Sequence, residues 1–255
     1  MPEDRYPCPC CGYQTYILPA GGSWQLCPVC FWEDSLGDPR YSGSNEVSLI
    51  EAQGNFINFG AAERKYRSAV RPPLPEEAKP SGWLSFPEMK MKVISLIEEV
   101  FKDVRRDGGV TLHQMDVLDD YGSEFELKEA GLKDTETTWQ EIPSGKLSTF
   151  QLSMTFLDAK GFRFYLPAFM RHALLTLGSD RGSEGDGVIF SLCRGPDDDF
   201  RKEDFRLLGA REKECIAAFL HVLAIADPDG SSDARRGLKN GWNRRLLDFL
   251  KLGWA

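Results

Sequence analysis

The sequence predicts an α+β protein of two domains. A small zinc-ribbon-like β-hairpin domain with a following helix precedes a mainly α-helical domain with at least one short strand. Three observations support this prediction. Two cysteine pairs enclose β-prone residues near the N-terminus, prolines cluster at 72–87, and apolar residues recur at helical spacing beyond them. We therefore expect a cysteine-rich domain at 1–71, a proline-rich linker at 72–87 and a helical domain at 88–255.

Four cysteines of the first domain follow the spacing C-x2-C-x15-C-x2-C, which is typical of four-cysteine zinc sites. The predicted metal ligands are Cys8, Cys11, Cys27 and Cys30. Two thiolates separated by two residues can bind one face of a tetrahedral ion if the chain turns sharply between them. Gly12 can adopt the positive φ that closes the first turn, whereas Phe31 holds the equivalent position in the second. The second turn must therefore close differently or carry strain.

Metal ligation explains these cysteines better than disulfide bonds do. The total of seven cysteines is odd, and the polar start of the chain, Met1-Pro-Glu-Asp-Arg5, does not resemble a secretion signal. Zinc is the expected cofactor and iron the less favoured ion, although four thiolates would also hold iron. The site is expected to be structural, because four protein ligands leave no position for water or substrate. Cys10 is the additional cysteine. It can be a spare thiol, a replacement ligand or a small residue in the turn.

The residues between the two cysteine pairs predict a β-hairpin. Two short β-prone runs, 13–18 and 23–26, are separated by the turn sequence Pro19-Ala-Gly-Gly22. Trp24, Phe31 and Trp32 either cover this small sheet or stay at the surface to hold a partner. A helix that begins near residue 45 and ends at residue 60 is expected after the second pair.

The second domain has the apolar spacing of amphipathic helices. Apolar residues at 93, 97, 100, 101 and 104 predict the first helix. Thr111 and Ser123 are each followed three residues later by Gln or Glu, which is a helix-capping pattern. Further helices are expected after Ser144, after Pro167, at 210–226 and at 242–252, and the run 188–193 is the predicted strand.

Charge and hydropathy argue against several classes of function. The chain of 255 residues carries a net charge of −8, which opposes sequence-independent nucleic-acid binding because such binding neutralises phosphates. No apolar stretch approaches the roughly 20 residues that a membrane-spanning helix needs. We therefore expect a cytoplasmic protein with no nucleic-acid or membrane partner, and we expect its partner to be another protein.

Two sets of motifs resemble known families. Cys8-Pro-Cys-Cys-Gly12, Cys27-Pro-Val-Cys-Phe-Trp-Glu-Asp34 and Val70-Arg-Pro-Pro-Leu-Pro-Glu76 resemble the bacterial cysteine-rich CPCC family, over about residues 6–77. That resemblance implies a small zinc-ribbon-like module and implies no activity. Asp119-Asp-Tyr121 and Trp139-Gln-Glu-Ile-Pro143 resemble an uncharacterised bacterial domain of unknown function, over about residues 93–250. The second resemblance implies a domain and no mechanism.

No catalytic residue is predicted. The chain has three histidines, His113, His172 and His221, and none of them belongs to a metal or hydrolase signature. The favoured function is therefore a zinc-binding, non-enzymatic protein-interaction or regulatory module. A role as a toxin-neutralising or regulatory partner in bacteria is suggested by analogy alone.

The alternative is a hydrolase-like enzyme with a carboxylate-based site in the helical domain. Its candidate residues are Asp119, Asp120 and Glu141, together with Tyr121 and Trp139. A deep pocket that gathers these carboxylates with a histidine would favour the enzyme. Carboxylates spread over helix ends would favour the interaction module.

Overall fold

The computed structural model describes residues 5–35, 43–150, 154–177, 186–199, 202–226 and 231–242. The chain forms two compact units, the first of which reaches Met91 while the second runs Lys92–Leu246. We name them the cysteine-rich unit and the helical unit. The spacer role predicted for 72–87 stays a prediction. Glu77, in that segment, is fully buried and pairs with Arg71 of the same unit.

The predicted α+β class is wrong. The described residues form ten α-helices and four short 3₁₀ turns, and they contain no strand. The described residues form two isolated antiparallel β-bridges, Tyr6 with Tyr16 and Leu26 with Glu33. Each bridge closes the loop around one cysteine pair. The runs 13–18 and 23–26 therefore pair within their own loops, and a single bridged pair does not extend into a ladder.

The strand predicted at 188–193 is also wrong, because these residues belong to the helix Asp186–Leu192 and its end. Val188, Ile189, Leu192 and Cys193 are buried while Phe190 is exposed, which is a helical face. A short apolar run is compatible with either a buried strand or a buried helix, and the sequence pattern alone does not separate them.

The cysteine-rich unit contains the helix α1, Leu49–Phe59. Ser48 caps its first turn by accepting a hydrogen bond from the Glu51 N–H, and Gly60 ends it with φ 81°. The predicted end at residue 60 is confirmed. The buried Gln53 donates from Nε2 to the Pro9 carbonyl at 2.7 Å and accepts from the Phe86 N–H at 2.6 Å. This one side chain therefore attaches α1 both to the first cysteine turn and to the start of the next helix.

The remaining helices are α2 to α10. They are Phe86–Val100, Leu112–Asp119, Glu124–Gly131, Ser144–Thr149, Ala159–Thr176, Asp186–Leu192, Lys202–Phe205, Ala210–Ala226 and Ser231–Lys239. The two predicted capping boxes are confirmed, with Thr111 and Gln114 at the start of α3 and Ser123 and Glu126 at the start of α4. The helix predicted at 242–252 lies almost entirely outside the described residues.

The core of the helical unit is built around α6 and α9, which are apolar on most of their circumference. A helix with that composition is stable in water only when neighbouring elements cover it. α6 begins at Ala159 rather than near Pro167, because the Asp158 side chain caps it by accepting from the Gly161 N–H at 2.9 Å. Pro167 therefore lies inside the helix.

Candidate metal centre

The four predicted ligands, Cys8, Cys11, Cys27 and Cys30, lie together in the core of the cysteine-rich unit. All four are buried and free of disulfide bonds, and their Sγ atoms lie within 4.8 Å of one another. The distance is 3.6 Å between the Sγ atoms of Cys8 and Cys30, and 3.7 Å between those of Cys11 and Cys27. With a Zn–S bond of about 2.3 Å, the edge of a regular tetrahedron is about 3.8 Å. The four sulfur atoms therefore have a spacing that suits a tetrahedral metal ion.

The two cysteine turns are close copies of each other. The Cys8 N–H donates to the Tyr13 carbonyl and the Cys27 N–H to the Trp32 carbonyl, both at 2.9 Å. The Gly12 N–H donates to the Cys8 carbonyl and the Phe31 N–H to the Cys27 carbonyl, both at 2.8 Å. The chain therefore presents each pair of thiols by the same turn, which explains how two pairs that are separate in sequence bring their thiols together.

The closing residue of each turn has a positive φ, 80° at Gly12 and 66° at Phe31. Of the two outcomes expected for the second turn, the structure shows the second: it closes like the first, and Phe31 carries the strain. A left-handed conformation costs a non-glycine residue roughly 1–2 kcal/mol. The Phe31 ring stacks on Tyr66 with centroids 4.1 Å apart, which offsets part of this cost. At Gly12 a side chain is excluded for a second reason, because a Cβ would collide with the ring of Trp83.

The electrostatics of the four thiols also suit a cation. Burial raises the pKa of Cys11 and Cys30, since a buried thiolate lacks hydration. Hydrogen bonds from the neighbouring thiols, first that of Cys11, lower the pKa of Cys27. The Thr15 hydroxyl lies 3.3 Å from the Cys27 Sγ. A divalent ion would supply the positive charge that lets all four sulfur atoms ionise together.

Cys10 is buried but is not a member of the group of four. Its side chain adjoins that of Cys30, and burial raises its pKa. Of the three roles expected for Cys10, this buried position favours a small apolar residue packed against the cluster.

Several residues that support the centre were not predicted from the sequence. The Asp34 carboxylate is buried and accepts hydrogen bonds from the N–H groups of Gly21, Gly22 and Ser23 and from the Ser23 hydroxyl at 2.6 Å. The fully buried Glu77 pairs with Arg71, whose N–H donates to the Pro28 carbonyl at 3.0 Å. The Asp34 contacts fix the turn at residues 21–23, and the Arg71 contact fixes the second cysteine turn. Asp34 is the last residue of the motif quoted as Cys27-Pro-Val-Cys-Phe-Trp-Glu-Asp34, and its closeness to Cys30 is the sequence signal that could have indicated its role.

The three aromatic residues of this unit have different environments. Trp32 is 5% exposed and belongs to the core, and Phe31 is half-buried against Tyr66. Trp24 is 59% exposed. Trp32 and Phe31 therefore pack within the unit, Trp32 fully and Phe31 in part. Trp24 is the aromatic residue of the three that lies at the surface.

The carboxylates of the alternative enzyme site are not gathered in a pocket. Asp119 and Asp120 are exposed at the C-terminal end of α3, where Tyr121 is 97% exposed. Glu141 is exposed in a 3₁₀ turn and accepts hydrogen bonds from the N–H groups of Thr137 and Thr138. Trp139 is fully buried and donates to the Phe101 carbonyl at 2.8 Å. The carboxylates therefore lie at helix ends and turns, and Trp139 belongs to the core, which is the arrangement expected of the interaction module.

The histidines have other neighbours. His113 Nδ1 lies 3.0 Å from an oxygen of Asp134, and His172 Nε2 lies 3.2 Å from the Ser148 hydroxyl. Among the described residues, the four cysteines are the only group of three or more potential metal ligands that converge. The structure therefore does not assemble the site that the alternative requires within the described part of the chain.

A second cluster of charged residues, around Asp134 in the helical unit, was also missed. Asp134 is fully buried and accepts from the His113 N–H at 3.0 Å and from Lys146 Nζ at 2.9 Å. Lys146 also pairs with Glu136 at 2.5 Å. Arg106 donates to the Asp134 carbonyl at 2.8 Å. The cluster joins α3, α5 and the segments that precede them. The separation of its members in sequence has no periodic pattern.

Comparison with known proteins identifies both parts of the chain. Residues 6–77 match the family described as cysteine-rich CPCC, and residues 89–246 match a family of unknown function, DUF6714. Both predicted resemblances are confirmed. No curated protein and no solved structure matches the chain. None of the helices that the structure describes combines the length and apolar character needed to cross a bilayer. The chain thus belongs to the DUF6714 family, with a cysteine-rich CPCC domain preceding the family's own domain.

Proposed function

We propose that this protein is a zinc-binding, non-enzymatic module that binds another protein through its cysteine-rich unit. The observation that supports zinc binding is the close approach of four buried Sγ atoms, at distances that suit a tetrahedral ion. Four protein ligands would complete the coordination of zinc, so the ion would be structural. The proposal includes a cytoplasmic location, where thiols stay reduced.

A surface beside the cysteine turns supports the second half of the proposal. Ile17, Leu18, Trp24 and Leu26 are large apolar residues, and all four are exposed. The side chain of Gln25 holds their two segments together, because its Oε1 accepts from the Ile17 N–H at 2.7 Å and its Nε2 donates to the Leu18 carbonyl at 3.1 Å. An exposed tryptophan on a backbone that is already fixed loses little entropy when a partner binds.

The metal assignment predicts about one zinc ion per chain in the purified protein. Cys11→Ser should lose the ion, since it removes one of four ligands, whereas Cys10→Ser should keep it. Elemental analysis gives the stoichiometry, and cobalt substitution reports thiolate ligation through its sulfur-to-metal charge-transfer absorption. Iron instead of zinc, or retention by Cys11→Ser with loss by Cys10→Ser, would contradict the assignment.

The surface assignment predicts that Trp24→Ala abolishes capture of the partner from the native cell at unchanged zinc content. Phe190→Ala is the matched control, because Phe190 is an aromatic residue with the same exposure, 59%, in the helical unit. It should leave capture intact. Equal capture by wild type and Trp24→Ala would show that the partner, if present, binds elsewhere.

A further inference from the structure

We propose that the hairpin formed by α3 and α4, residues 112–131, is a docking surface for a positively charged segment of another protein. This segment would carry Lys or Arg next to apolar side chains. We name the surface the acidic hairpin. It belongs to the helical unit and does not depend on the metal centre.

The apolar part of this surface is aromatic. Tyr121, in the turn between the helices, is 97% exposed, and Phe125, in the first turn of α4, is 72% exposed. Neither ring takes part in a ring-stacking or cation–π contact within the described residues. Single exposed apolar side chains are normal at a protein surface, but two exposed rings within five residues of one hairpin are the kind of apolar surface that a partner covers.

The charged part of this surface has one sign. The acidic hairpin contains six carboxylates and one lysine, a net charge of −5. Five of the carboxylates are exposed and have no hydrogen-bond or ion-pair partner in the part of the chain that the structure describes. They are Asp116, Asp119, Asp120, Glu124 and Glu129. The sixth, Glu126, caps α4 through Ser123.

Helix stability accounts for Glu124, which lies in the first turn of α4, but it does not account for the aspartates of α3. Asp119 and Asp120 are at the C-terminal end of α3, where the helix dipole disfavours negative charge. Asp116 and Asp120 are spaced i, i+4, so they repel each other on the same face. A basic partner would remove both penalties by compensating these charges.

The hairpin is also rigid before binding. The Gly122 N–H donates to the Val117 carbonyl at 2.7 Å, and a side chain at Gly122 would collide with Val117. The capping box of Ser123 and Glu126 fixes the start of α4. A partner would therefore meet a surface whose backbone is already ordered.

The chemistry of this surface selects the class of partner. Carboxylates form charge-assisted hydrogen bonds with Arg and Lys, and exposed aromatic rings attract the same cations. The net negative charge repels nucleic acid. In the described residues these carboxylates do not converge as ligands of a metal ion. A basic protein segment is the occupant that can bind both the exposed carboxylates and the exposed aromatic rings.

The test uses the full-length protein and two fluorescent peptides, one of alternating Arg and Leu and one of alternating Glu and Leu. Binding is measured by fluorescence anisotropy. We expect the basic peptide alone to bind. The double variant Asp119→Asn with Asp120→Asn should weaken its binding at least tenfold, because it removes two charges next to Tyr121. The variant Tyr121→Ala with Phe125→Ala should weaken it at least fivefold.

The matched control removes two charges of the same sign elsewhere in the helical unit. Asp103→Asn with Glu203→Gln changes two highly exposed carboxylates outside the hairpin and should alter affinity less than twofold. Equal weakening by control and hairpin variants would show non-specific attraction and overturn the proposal. Unchanged binding after loss of both rings, or absence of binding to wild type, would also overturn it. Zinc content should be the same in all variants. A failure of the docking proposal can therefore be distinguished from a failure of the metal assignment.

Discussion

Cys27→Ser is expected to unfold the cysteine-rich unit. Zinc binding contributes about 10–16 kcal/mol in small zinc-dependent domains, and a site with three ligands retains only part of it. Hydrogen exchange should lose protection at residues 5–35 and 43–85, and the near-ultraviolet signal of the buried Trp32 should collapse. Cys215→Ser, which changes another fully buried cysteine on α9, is the matched control and should leave this unit folded.

The reason for so large an effect is the composition of the core in this unit. Five of its ten buried residues are cysteines, and two more are alanines. Tyr16, Val29 and Trp32 are the other three, and the further hydrophobic side chains that pack against them are only partly buried: Tyr6, Tyr13, Val47, Leu49 and Phe56. Without the ion, burial of so few large side chains does not offset the conformational entropy of the chain. Retained protection after ligand loss or zinc chelation would show that the metal is dispensable.

The helical unit should respond differently to zinc removal. Its core is built from α6 and α9 and contains no converging group of metal ligands among its described residues. Chelation is therefore expected to leave its helical circular dichroism and its hydrogen-exchange protection nearly unchanged. Melting of the helical unit on chelation would contradict this expectation.

The sequence was informative wherever a chemical requirement has a fixed spacing. Four thiol ligands need two short turns, so the spacing of the cysteines was enough to predict which four thiols lie together. A helix start needs a side-chain acceptor three residues before its partner, so Thr111 and Ser123 were identified in the same way. Both requirements are local, and tertiary contacts do not alter them.

The sequence was less informative wherever a pattern satisfies two structures. Residues 188–193 bury one side equally well as a strand or as a helix, and only the neighbouring helices decide. The runs around the cysteines have β propensity, but the local turns already use their backbone hydrogen bonds. Phe31 shows a related limit, because a residue that disfavours positive φ adopts it where the turn and the stack on Tyr66 require it.

The cluster around Asp134 could not be predicted from spacing, since its partners come from separate parts of the chain. Burial by itself would raise the pKa of Asp134. Hydrogen bonds from the His113 N–H, Thr111, Lys146 and the His113 ring outweigh it and lower the pKa to about 2. A sequence shows each of these residues and does not show that they meet.

Asp134→Asn is expected to lower the free energy of unfolding of the helical unit by about 3 kcal/mol, because it removes one partner of a buried charged network. Lys146 would keep only Glu136 as an acidic partner. Chemical denaturation measures the change. Asp119→Asn is the control, since this exposed carboxylate has no partner among the described residues, and it should change stability by less than about 0.5 kcal/mol.

The same carboxylate predicts a dependence on pH. Its folded pKa, about 2, lies below the ordinary value of 3.8, so the folded state binds this proton more weakly than the unfolded state does. The stabilisation is therefore nearly complete above about pH 4, and about 2 kcal/mol of it is lost as the pH falls to 2. Unfolding measured between these values should show this loss in the wild type and in Asp119→Asn, and a smaller loss in Asp134→Asn. Identical pH profiles for wild type and Asp134→Asn would mean that Asp134 does not hold its charge through this network.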